Sequence, residues 1–254
     1  MTAIAPAPAP APGENFPPST VESPPRSVQQ RFDFYGPIHK SLRMAISDLL
    51  IRMGKTNFAA PEAAERVVSA MRQLLVVCEE HIEHEARFVH PQLATRLPQA
   101  LAKIDAGHDE HARFVAELRS LGDAVLGSKA PSLRALAGRT LYLHFTSFAA
   151  DALAHMVEEE RALQPLMHRF FSDDELLAME TAILGSMSPE QQLASMIGIV
   201  RAVNGPERAA LLGGVHAAAP PPAFEAIIGA LRPELASDEW SELTALCPFL
   251  GERT

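Results

Sequence analysis

Cysteine is nearly missing from this chain: only Cys78 and Cys247 occur in 254 residues. Two thiols cannot form a disulfide framework, so a reducing, cytoplasmic setting is expected. Ligand-spaced cysteine pairs are absent, which argues against a thiolate metal site. Aromatic residues make up 6% of the chain and β-branched runs are scarce, so strand signals are poor. Positive charge is in deficit, with 22 Lys and Arg against 31 Asp and Glu and a formal net charge of −9. That balance argues against nucleic acid as a partner, because phosphate neutralisation needs a basic patch. No apolar run approaches the roughly 18–20 residues that span a bilayer. The N-terminus lacks the basic-then-apolar order of a signal peptide. No nucleophile–base pair, phosphate loop or dinucleotide fingerprint is found.

What the chain does have is apolar content, at 47%, arranged with helical period. Residues 1–30 are the exception. The run APAPAPAPG, followed by PPST and SPPRS, fixes φ and removes backbone donors, and so predicts a disordered tail. Four long amphipathic segments follow. The first opens near Pro37 and carries His39, Leu42, Ile46, Leu49 and Met53 on one face. The second opens at Pro61 and carries Val67, Met71, Leu74, Cys78, His81, Glu85 and Phe88, with Pro91 ending or bending it. The third, over about residues 97–121, carries Leu101, Ile104, His108, His111, Val115 and Leu118. The fourth, over about 132–170, carries Leu141, His144, Phe148, Asp151 with Ala152, His155, Glu159 and Leu166. Helices of roughly 20–38 residues joined by short loops predict an all-α fold, an up-down-up-down four-helix bundle over residues 31–171. Capping signatures at Ser172 and Ser188, and Pro206-Glu207, open shorter helices, so residues 172–254 are expected to form a helical C-terminal extension.

These inner stripes ought to be apolar, yet they carry histidine and glutamate. Burying a carboxylate without a partner is costly, so each one asks for a reason. An internal repeat supplies it. HIEHEARFVHPQL begins at His81 and HMVEEERALQPLM at His155; both read H-x3-E-x5-P-x-[LM]. His and Glu at i and i+4 share a helix face about 5–6 Å apart, close enough to converge on one ion or two adjacent ions. Imidazole with carboxylate suits Fe, Mn or Zn. In an up-down-up-down order His39, His81/Glu85, His108 and His155/Glu159 also all fall toward the same end. His84 and His90 lie off the stripe and are expected to be exposed. His144, about 16 Å along the helix from His155, is expected to make a polar core contact rather than join the centre. Asp151 is expected either to orient a ligand imidazole or to be a plain polar position, and Cys78 to be a small core residue.

On these motifs, with the early His39 in IHKSLR and the GHDEH that opens the third segment, residues 31–170 resemble the hemerythrin-like, or HHE cation-binding, family. The resemblance implies a four-helix bundle with a non-haem di-iron centre and bridging carboxylates. By motif matching it implies His39, His81, Glu85, His108, His155 and Glu159 as metal ligands, with His111 as an optional seventh. Oxygen carriers of the family use an Asp one position beyond Glu159, whereas iron–sulfur-repair members have Glu at this spacing. The short cysteine-bearing N-terminal region of those repair members has no counterpart here. The implied function is binding or sensing of O2, NO or iron by a di-iron centre, with Mn or Zn as alternative metals. The alternatives are an enzyme that reduces NO or peroxide or assists cluster repair, and a metal-stabilised structural or storage bundle. A protein partner would dock through the C-terminal helices.

Overall fold

The computed structural model describes residues 31–96 and 98–251; the tail expected over residues 1–30 lies outside them. The described chain is all-α, with no strand among the described residues. Its four longest helices are α1 (Gly36–Lys55), α2 (Pro61–His84), α4 (Pro98–Gly127) and α5 (Pro131–Glu158). Short helices α3 (His90–Arg96) and α6 (Gln164–Phe170) prolong α2 and α5. The long helices pack in a cycle, α1 on α2, α2 on α4, α4 on α5 and α5 on α1. Proline stands at the start of α1, α2 and α5, where its missing N–H costs nothing.

Two glycines allow close approach. Gly122 does not stop its helix; α4 continues to Gly127, and a Cβ at Gly122 would lie 3.1 Å from Met71 Cε and Val68 Cγ1. At Gly138 a Cβ would fall 2.1 Å from Cγ of Phe58, whose ring covers α5. Buried Arg134 donates to the carbonyls of Phe58, Ala59 and Ser128, and so ties the loops before α2 and α5 together.

Pro91 and Pro165 do not end their helical runs. The extra residue is absorbed as a π turn ahead of each, Glu85–Val89 and Glu159–Leu163. His90 N–H reaches back to the Glu85 carbonyl and Gln164 N–H to that of Glu159. A regular helix would ask each proline for an N–H it lacks and press its ring on the carbonyl four residues back. One inserted residue turns everything downstream by about 100°. This corrects several expectations. Val89 and His90, not Phe88, are buried after Glu85; Leu163 and Met167, not Leu166, are buried after Glu159. His90 is therefore inside rather than exposed, and His84 is half-buried. On α5, Phe145 takes the inner position, and His144 is exposed instead of in the core.

The turns also separate two apolar layers. One contains Leu42, Met71, Cys78, Val115, Phe148, Ala152 and Met156; the other contains Tyr35, Val89, Leu93, Leu163, Met167, Phe171 and Leu176. Along α1 the order is Tyr35, His39, Leu42; along α2 it is Cys78, Glu85, Val89; along α5 it is Met156, Glu159, Leu163. A polar layer is held between two apolar ones.

Helices α7 (Asp173–Ser186), α8 (Pro189–Ala202) and α9 (Gly205–Ala218) start with capping boxes on Ser172, Ser188 and Asn204. Helices α10 (Pro221–Leu231), α11 (Ser237–Leu246) and α12 (Pro248–Gly251) complete a third apolar cluster around Val200, Leu212, Phe224 and Leu243. Helix α8 lies on α1, and α7 on the first π turn. No helix of the described chain is long and apolar enough to cross a membrane.

Gly138→Ala is expected to cost about 1–3 kcal/mol by overpacking Phe58, seen as a lower urea midpoint at unchanged slope. An unchanged midpoint would show that Phe58 can leave α5 freely.

Candidate metal centre

The polar layer is built around two carboxylates, Glu85 at 2% exposure and Glu159 at 0%. Each of their four oxygens faces one imidazole Nε2. Glu85 Oε1 lies 3.3 Å from His81 and Oε2 lies 3.2 Å from His108. Glu159 Oε1 lies 3.3 Å from His155 and Oε2 lies 3.4 Å from His39. All eight atoms are buried, and none makes a hydrogen bond. A buried polar atom without a partner is costly, and eight facing one another call for a cation between them. Donors about 2.0–2.2 Å from one ion, at near right angles to each other, stand roughly 3 Å apart.

Two candidate groups of donors share the carboxylates. His39, His81, Glu85 and Glu159 form one; Glu85, His108, His155 and Glu159 form the other, with donor atoms within 4.8 Å of one another in each. Six of the seven residues named from the sequence thus converge. His111 joins neither group; its Nδ1 faces Asp151 Oδ2 at 3.2 Å, and its ring lies 5.5 Å from that of His155. Asp151 therefore sits beside His111 rather than against a residue of either group.

Electrostatics prepare the layer for positive charge. Burial pushes the His81 imidazole down to about 3 and His108 down to about 4, so both are neutral, lone-pair donors at neutral pH. His39 is lowered as well, burial outweighing the Glu159 and Glu160 charges. Burial and then the Glu159 charge raise Glu85 well above the ordinary range. Burial works to raise Glu159 too, but the adjoining His155 imidazole, then the charges of His39 and His81, hold it at about 2. His155 is lowered by burial, and the Glu159 carboxylate more than reverses that.

Three neighbours escaped the sequence reading. Glu160 Oε1 accepts from His39 Nδ1 at 3.0 Å and from Arg43 Nη1 at 2.7 Å, which turns His39 Nε2 toward the centre. Tyr35, one turn before His39, stacks on its ring at 5.1 Å, and its buried hydroxyl has no partner among the described residues. Burial first, then Glu85 and Glu159, keep that phenol protonated. His90 stacks on His108 with 5.1 Å between ring centres. Tyr35 stood at the i−4 position from His39, a signal the sequence did carry. Glu160 follows Glu159 directly and should face away on a regular helix. Cys78 is buried and its thiol is pushed up to about 12, which leaves it an inert core residue.

The helical fold and this His/carboxylate layer define a candidate cation-binding protein. A family model, the hemerythrin HHE cation binding domain, matches residues 37–177, and the chain belongs to that family. No curated protein and no solved structure matches the chain.

Glu160→Ala is expected to weaken metal binding by about 10–100-fold while leaving helix content intact, measured by competition with a coloured chelator. An unchanged affinity would reduce Glu160 to a plain ion pair with Arg43.

Proposed function

We propose that the chain holds two metal ions in a hemerythrin-type four-helix bundle and uses them to bind or sense a small ligand, O2 or NO. The observation that carries this reading is the set of eight buried, unpartnered donor atoms on His39, His81, Glu85, His108, His155 and Glu159. Each ion would receive two imidazoles and one oxygen from each carboxylate. Iron is the metal proposed, with Mn or Zn as alternatives, since imidazole with carboxylate suits all three. The bound ions would supply Lewis acidity and, for iron, redox chemistry.

The chain's own residues do the rest. Glu85 and Glu159 belong to both donor groups and would hold both ions. The two apolar layers exclude water, which strengthens every charge interaction inside. Tyr35 offers a buried hydroxyl that can donate to a small ligand in the centre.

A second reading, reduction of NO or peroxide, is favoured by one observation. His111 stands outside both donor groups, so each ion would have four protein donors and keep coordination for an exchangeable ligand. The two readings separate on the reduced, iron-loaded protein. Absorption bands that appear with O2 or NO and vanish on its removal mark a carrier or sensor; steady consumption of the ligand marks an enzyme.

Metal content tests the centre itself. His81→Ala with Glu85→Ala is expected to take it from two ions per chain to none, while His84→Ala keeps both. Equal content in the two variants would sink the ligand assignment. Chelation of the wild-type metal is expected to lower Tm, because the ions bind the folded state.

A further inference from the structure

A cleft of about 570 Å³ opens between α1 and α2 on one side and α7 and α8 on the other. Its walls include His81 and Glu85 of the first donor group, and Tyr35. This volume is far more than O2 or NO needs, since even a water molecule claims only about 30 Å³ in the liquid. It falls within the roughly 300–1,000 Å³ of pockets that enclose organic ligands. Apolar side chains from all four helices line it, among them Leu49, Val77, Leu184 and Ile199. Val77 and Leu184 are 46% and 42% exposed, so the apolar wall continues to the surface.

The charged groups of the lining narrow the choice of ligand. Glu80 accepts from Gln191, and Arg201 pairs with Glu234. Asp48 and Arg52 are exposed on α1, one turn apart and opposite in sign. Glu180 on α7 is different. It is half-buried and has no hydrogen bond or ion pair with any described residue, and burial raises its carboxyl. An anionic ligand would meet this carboxylate unfavourably, whereas an N–H or ammonium group would satisfy it.

We propose that this cleft is a binding site for an elongated apolar organic molecule bearing an amine, held by the α1–α2 and α7–α8 walls with Glu180 as acceptor, beside the metal centre. The proposal rests on the metal reading only in giving the inner wall its role. It also assigns work to the C-terminal helices, which build half of the cleft.

The test uses the full metal-loaded chain and two probes on one aromatic skeleton, N-phenyl-1-naphthylamine and its 8-sulfonate. The amine is expected to bind once per chain with blue-shifted fluorescence, and the sulfonate about tenfold more weakly. Ser195→Phe, which fills the cleft from α8, is expected to weaken the amine about tenfold at unchanged metal content and helicity. If that variant misfolds, Ala194→Trp on the exposed part of the same wall replaces it. Glu180→Gln is expected to narrow the gap between the two probes. Failure of the amine to bind, equal binding by a folded cleft-filling variant, or a gap unchanged in Glu180→Gln would each overturn the proposal. A chain that binds the amine but no metal would overturn the metal reading and leave the cleft assignment standing.

Discussion

Two carboxylates are buried side by side, and the rest of this protein is arranged around that fact. In an apolar surround each uncompensated charge costs several kcal/mol, and two like charges within a few ångströms repel in addition. The imidazoles facing Glu85 and Glu159 soften this only in part, because burial keeps His81 and His108 neutral. Neutral imidazoles offer the carboxylates no compensating charge, which leaves a place for positive charge between them. The apolar layers above and below make the problem sharper, since they remove the solvent that would screen it. The same dryness makes the layer selective for an occupant that brings concentrated positive charge.

Much of this was legible in the sequence, for reasons that can be stated. The six converging residues were marked by polarity at positions whose periodicity called for apolar side chains. His81 and Glu85, and His155 and Glu159, were marked again by their i, i+4 spacing. What the sequence did not show is the phase change at the π turns. A period of 3.6 carried through Glu85 puts His90 on the outside and Phe88 on the inside; the inserted residue reverses both. Glu160 was hidden for a related reason, as it follows a donor directly. Tyr35 lay ahead of the first helical turn, where the reading looked for a helix start rather than for a side chain of the centre. His144 failed differently. Phe145 beside it fills the same inner face of α5 with a larger apolar side chain, and the histidine is left to solvent.

The C-terminal helices bear on the centre through packing rather than by adding donors. Helix α8 lies on α1, which carries His39, and α7 lies on the π turn that starts at Glu85. Lys40 pairs with Glu207 at 2.6 Å and Arg96 with Glu175 at 2.6 Å, so polar ties join the two parts at the surface. Pairs this exposed contribute little to stability. The apolar contacts of Phe171, Leu176 and Met179 with Tyr35, Val89 and Leu163 are what bind the start of α7 to the outer side of the polar layer.

The two H-x3-E-x5-P units share more than spelling. In each, the π turn begins at the glutamate and the proline follows six residues later, so the deformation is written into the same stretch as the donor. Such a stretch is close to a portable module. Two helices bearing it and packed at the usual 8–10 Å would bring together two carboxylates and two imidazoles without further instruction. Only His39 and His108, which come from unrelated surroundings, would remain to be added. Four of the six converging residues are thus encoded in one short segment used twice, and a designer of helical metalloproteins could borrow it whole.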